Sequence, residues 1–169
     1  MNQILSFYYG SHPDHRGRTL AEMLKQDDYW LEVTHDYIQW LFPLSDLSRA
    51  SSHAPIIDNK TRDTFRNDEI LQKHMRAALV RMLRVFGLTF NGATLSKAVN
   101  WHERKSEWFT AHTHNSLRIT RILKSMTLLG LQKDAAAVLA GIEALCVNET
   151  DCGVSEQSRK FWREAIEKR

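Results

Sequence analysis

Glycine and proline are scarce in this sequence: seven and three residues in a chain of 169. Together they reach about half of average usage. Folds made of many short strands spend both residues on turns, so the scarcity argues for long helices joined by few loops. Cysteine is scarcer still. Cys146 and Cys152 do not form a CxxC pair, which excludes a disulfide framework and the common cysteine zinc motifs. They read as reduced thiols of an intracellular protein. The opening MNQILSFYYG lacks the basic start and apolar run of a signal peptide. No segment approaches the roughly 20 apolar residues of a membrane span, and a cytoplasmic location is expected. The net charge is only +3, so any basic surface must come from local clustering. No phosphate loop, dinucleotide glycine pattern or GxSxG elbow occurs. No cofactor is expected, and no residue stands out as catalytic.

The rest of the chain is that of an ordinary globular protein, 43% apolar and 25% charged. Its length suffices to bury a core without staples. The pattern predicts an all-α, single domain over residues 1–169, an irregular arrangement of about seven helices. Residues 1–15 mix aromatics with turn formers and read as an irregular arm. Thr19-Leu20-Ala21-Glu22 is a capping box opening a helix to about Gln26. Leu31, Thr34, Ile38, Leu41 and Phe42 share one face of a helix expected over 28–42, with a break near Thr34 or His35 as an option and Pro43 as the stop. Residues 44–58 read as loop, followed by a short helix over 59–66. Asn67 is expected to cap the longest helix, through Phe86, with Gly87 closing it. Asn91-Gly92 lacks alternating strands on both flanks and reads as a loop, with a helix from Leu95 to Trp108. Further helices are expected over 115–129, over the alanine-rich 134–147, and from the cap Ser155 onward.

Three constellations carry chemistry. His35 and Asp36 sit beside Tyr37 and Trp40, and a histidine beside a carboxylate is a candidate general base or metal ligand. His102, His112 and His114 with Glu103 offer zinc-type ligands. The H-x-H spacing falls in a loop and has no HExxH or cysteine partner, so no metal is expected. Arg118, Arg121 and Lys124 recur every three residues, and successive members lie about 60° apart, a slanted basic stripe. Lys73, Arg76, Arg81 and Arg84 decorate the longest helix similarly. Two such helices side by side would make a basic groove for an anionic group, an acidic peptide or nucleic acid.

Three segments also resemble a known family. PDHRGRTLAEML (13–24), THDYIQWLFPL (34–44) and HNSLRITRILKSMTLLGL (114–131) are similar, in order and separation, to the opioid growth factor receptor conserved region. FYYG at 7–10 resembles that family's opening. The resemblance spans about residues 7–131 and implies an all-helical fold. It also implies a receptor-like role, since animal members are described as receptors for an enkephalin-type peptide. The long repetitive tail of those receptors has no counterpart in this sequence. The resemblance assigns no catalytic residues. The expected function is therefore a binding module for a peptide or anionic group, with His35, Asp36, His114, Arg118, Arg121 and Lys124 as ligand contacts. Nucleic-acid binding by the basic helices, or His/Asp acid–base catalysis, are the alternatives.

Overall fold

The computed structural model describes residues 2–167; Met1 and residues 168 and 169 of the expected 1–169 domain lie outside it. The described residues form ten α-helices and one two-stranded hairpin. The fold is thus mostly helical rather than all-α, and the helices are more numerous and shorter than the sequence pattern implied.

The chain opens with α1 (Gln3–Tyr8), not an irregular arm. Asn2 caps it by accepting from the Ile4 N–H. The reward is tertiary: Phe7 and Tyr8 are fully buried, edge-on to Trp40 and Phe65 respectively. Burying each such ring contributes about 2 kcal/mol. The predicted capping box holds α2 (Leu20–Lys25), with Thr19 and Glu22 satisfying each other's backbone N–H.

The helix expected over 28–42 breaks in two, α3 (Asp28–Val33) and α4 (Ile38–Leu41). Thr34 turns extended, at φ −91° and ψ 135°. A break exposes orphan carbonyls, and here they are answered from elsewhere. Tyr37 Oη donates to the Leu31 carbonyl at 2.6 Å, and Arg118 takes most of the others. Pro43 stops α4 as expected, with Phe42 out of the helical region. Residues 44–58 contain no helix and are closed by a single parallel bridge between Leu44 and Ile56.

Asp58 caps α5 (Asn59–Asn67). The long α6 (Glu69–Val85) is capped by Asp68, not by Asn67: Asp68 Oδ1 accepts from the N–H groups of Ile70 and Leu71. The Asn67 side chain instead donates back to the Asp63 carbonyl. Gly87, at φ +77°, ends α6 as predicted and leads into β1 (Leu88–Phe90). β1 pairs antiparallel with β2 (Leu95–Lys97) in the register Leu88 to Lys97 and Phe90 to Leu95. Asn91-Gly92 is therefore a hairpin turn, and the helix expected from Leu95 is a strand. Asn91 Oδ1 accepts from the Ala93 and Thr94 N–H groups while Gly92 takes φ +91°, the backbone this turn needs. Only α7 (Trp101–Arg104) and one 3-10 turn (Lys105–Glu107) are helical there.

Thr113 caps α8 (His114–Leu128), which packs against α9 (Gln132–Asn148) and α10 (Glu156–Ala165). Ser155 caps α10 as predicted. The core is one continuous cluster; most of its indoles find partners, while the buried Trp101 Nε1 has none among the described residues. Trp108 Nε1 donates to the Phe86 carbonyl and Trp162 Nε1 to the Ser116 carbonyl.

A histidine-lined groove as the candidate functional site

The site begins with Asp14, in the bend between α1 and α2. Its side chain is fully buried. Oδ1 accepts from the backbone N–H of Arg16 and Arg18, and Oδ2 accepts from Nε and Nη2 of Arg18 at 2.8 and 2.6 Å. Arg18 then reaches Asp36 Oδ1 at 2.9 Å, and Arg16 Nε reaches Asp36 Oδ2 at 3.0 Å. Two carboxylates and two guanidiniums thus tie the bend at 14–18 to the break between α3 and α4. Burial pushes the Asp36 carboxyl up, but Arg18 and Arg16 outweigh it and hold it below the usual carboxylate range.

His15 sits on this lattice. The Trp40 indole donates to His15 Nδ1 at 3.1 Å. An indole N–H only donates, so the neutral ring carries its proton on Nε2, which faces Asp36 Oδ2 at 3.6 Å. Burial keeps the His15 pKa below the ordinary histidine value, and the nearby carboxylates only partly offset it. His53, from the 44–58 segment, lies parallel to His15, with ring centroids 4.9 Å apart.

This stack separates two depressions. One, of roughly 700 Å³, is lined by Gln3, Ser6, His12, Asp14 and Trp40; the other, of roughly 550 Å³, by Arg16 and Val33 through Asp36. His15, Ser52 and His53 line both. Beyond the second depression, the exposed His35 ring meets His114 edge-on at 5.2 Å. Burial and the neighbouring Arg118 and His114 lower the His35 pKa. The Glu32 carboxylate accepts from His114 Nε2 at 2.6 Å, Arg104 Nη2 at 2.7 Å and Asn115 Nδ2 at 2.9 Å. It orients the imidazole so that, in the neutral ring, the Nδ1 lone pair is the one left over.

The structure brings His35, Asp36 and His114 to this face. It uses the basic stripe differently. Arg118 is 5% exposed and donates to the carbonyls of Leu31 at 2.8 Å, Glu32 at 3.3 Å and Thr34 at 2.7 Å. Arg121 Nε donates to the Phe42 carbonyl at 2.8 Å, and burial lowers its pKa to about 10. Ser125, one turn on, donates to the Pro43 carbonyl, and Lys124 pairs with Asp46 at 2.9 Å. The stripe therefore grips residues 31–46 in order. On α6, Arg76 pairs with Asp134 and Arg81 with Asp28. Among the described residues, no three His, Cys, Asp or Glu side chains gather to hold a metal ion.

Asp14, His15, Arg18 and His53 went unrecognised in the sequence as site residues. Asp14 and Arg18 stand four apart with opposite charge, a readable signal. His53 lies in a segment without periodicity, and nothing in the sequence marks it.

A mostly helical chain with a polar groove on one face, and no helix among the described residues long and apolar enough to cross a membrane, is the class defined so far. The chain belongs to the family of the opioid growth factor receptor (OGFr) conserved region, which matches residues 2–169. It is 36% identical to the opioid growth factor receptor of Mus musculus over 111 residues, 63% of this chain and 17% of that protein. It is 32% identical to the receptor of Homo sapiens over 142 residues, 80% of this chain and 20% of that protein. It is 35% identical to opioid growth factor receptor-like protein 1 of Rattus norvegicus over 128 residues, 73% of this chain and 27% of that protein. The chain thus spans about a fifth of the two receptors. No solved structure matches it.

Proposed function

We propose that this chain is a single intracellular domain that binds a peptide in the groove between residues 12–16, 33–36 and 50–54. The observation that carries the reading is the pair of depressions sharing the His15, Ser52 and His53 wall. Two depressions in line suit successive side chains of an extended peptide better than one compact ligand. His35, Asp36 and His114 are the contacts on one side, with His12, His15 and His53 on the other. The relatives' name, receptor, supports a binding role. Arg118 braces the backbone at Thr34 beside the groove, while Arg121 and Lys124 tie Phe42 and Asp46. Their engagement takes the α8 stripe out of the basic groove that nucleic acid would need, while Lys73 and Arg84 of α6 stay exposed. The two unlinked thiols fit a reducing compartment.

The test is selection of peptides from a random display library on the folded protein, followed by a counter-screen on Ser52→Trp. Ser52 is exposed and lines both depressions, so an indole there fills the groove without touching the core. Selected peptides should bind the parent and lose at least tenfold in affinity on the variant. Peptides that bind both equally, with the variant's circular dichroism unchanged, refute the reading.

A further inference from the structure

Four of the eight histidines in the chain, His12, His15, His35 and His53, line this one groove, and the His114 ring meets His35 at its edge. The carboxylates facing them are already engaged. Asp14 takes four donors, Asp36 takes two arginines, and Glu32 takes Arg104, Asn115 and His114. Little acceptor capacity remains for a cationic ligand. The uncommitted groups are of the other kind. His35 and His53 make ring contacts but no ring hydrogen bond, His12 touches only Ser11 at 3.5 Å, and the Arg16 side chain is 66% exposed.

We infer that the groove captures acidic peptides, and does so more tightly in acid, through His35 and His53. This rests on the peptide-groove reading above. At neutral pH the fixed charges facing the histidines nearly balance: Asp14, Glu32 and Asp36 against Arg16, Arg18, Arg104 and Arg118. His35 faces Glu32, Asp36, Arg118 and His114; His53 faces the His15 ring, with Asp36 behind it. Protonating the two exposed rings turns a near-neutral trough cationic. A bound carboxylate favours the charged ring, so binding takes up protons and affinity rises as the solution is acidified. It falls again near pH 4, where the peptide's own carboxyls protonate. His15 has Nδ1 tied to the Trp40 indole and is mostly buried, with Nε2 3.6 Å from Asp36, so it is the wall rather than the sensor.

The experiment measures fluorescence anisotropy of a rhodamine-labelled hexapeptide of alternating Asp and Gly at pH 7.5 and 5.5, at one ionic strength. A Lys-Gly hexapeptide is the charge control. The protein is compared with His35→Gln/His53→Gln and with His102→Gln/His112→Gln, whose exposed rings do not line the groove. The Asp peptide should bind about tenfold tighter at pH 5.5 to the parent and to the second variant, and the first variant should lose that gain. No binding at either pH, an equal gain in the groove variant, or a greater gain for the Lys peptide overturns the inference. If library-selected peptides still depend on Ser52 but show no gain in acid, the groove reading survives and only the proton dependence is lost.

Discussion

The carbonyl oxygen of Thr34 accepts a 2.7 Å hydrogen bond from Nη2 of Arg118, a residue on a different and distant helix. Through this bond and its neighbours, α8 holds open the break between α3 and α4. Where one guanidinium answers three carbonyls, the backbone leaves the helix without stranding polar groups. His35 is exposed, and Asp36 half-buried, at the groove because that break exists.

Arg118→Ala should therefore destabilise the fold by about 3 kcal/mol, since a buried charge-assisted network is lost and its carbonyls are left unpaired. Arg118→Lys should recover little of it, because one ammonium cannot reproduce the planar fork. Urea denaturation followed by tryptophan fluorescence measures both. A loss below about 0.5 kcal/mol, the usual range for surface substitutions, contradicts the bracing role.

The ion lattice around Asp36 predicts acid sensitivity. Burial raises that carboxyl, Arg18 and Arg16 outweigh it, and its folded pKa lies below the unfolded value. The lattice stabilises the fold above about pH 4, and that contribution is lost as pH falls through the folded value. Asp36→Asn should lower the urea midpoint at pH 6, and the gap to the parent should narrow as pH falls below about 4. His15 and His35, both lowered mainly by burial, add a loss that begins as pH falls below about 6.5. A midpoint that stays flat from pH 7 to pH 3 would contradict this.

Gly141→Ala should destabilise the protein, although alanine is the better helix former by about 1 kcal/mol. A Cβ at position 141 would lie 2.4 Å from Leu95 Cβ, where α9 packs on β2. Leu95 cannot retreat without breaking its pairing with Phe90. A melting temperature above the parent's would show that the contact is looser than this packing.

Cys146 should alkylate slowly. Burial and a hydrogen bond with Cys152 push its thiol up to about 12, so little thiolate forms at pH 8. Iodoacetamide labelling with peptide mass spectrometry should show it reacting at least tenfold slower than a free cysteine peptide. Equal rates would contradict the burial.

What the sequence made legible was what local chemistry decides. The Thr19–Glu22 box, the Pro43 stop, the Gly87 end and the Ser155 cap each needed only neighbours, and each is present. The Asn91-Gly92 hairpin was missed because its strands are three residues long and owe their stability to packing on α6 and α9. The break at Thr34 depends on Arg118, far away in the chain. The same distance hid the site: a basic stripe on α8 looks like a binding face until the carbonyls it grips are placed beside it. His35 and Asp36 were visible as neighbours, but the stack of His53 on His15 is purely tertiary.

The groove itself is tested most directly by hydrogen–deuterium exchange of the parent protein, with and without the tightest library-selected peptide. The account predicts slowed exchange in 12–16, 33–37 and 50–54, with α10 unchanged. Protection instead along Lys124–Leu128 and Phe161–Ala165, where a separate depression lies between α8 and α10, would place the ligand elsewhere and contradict it.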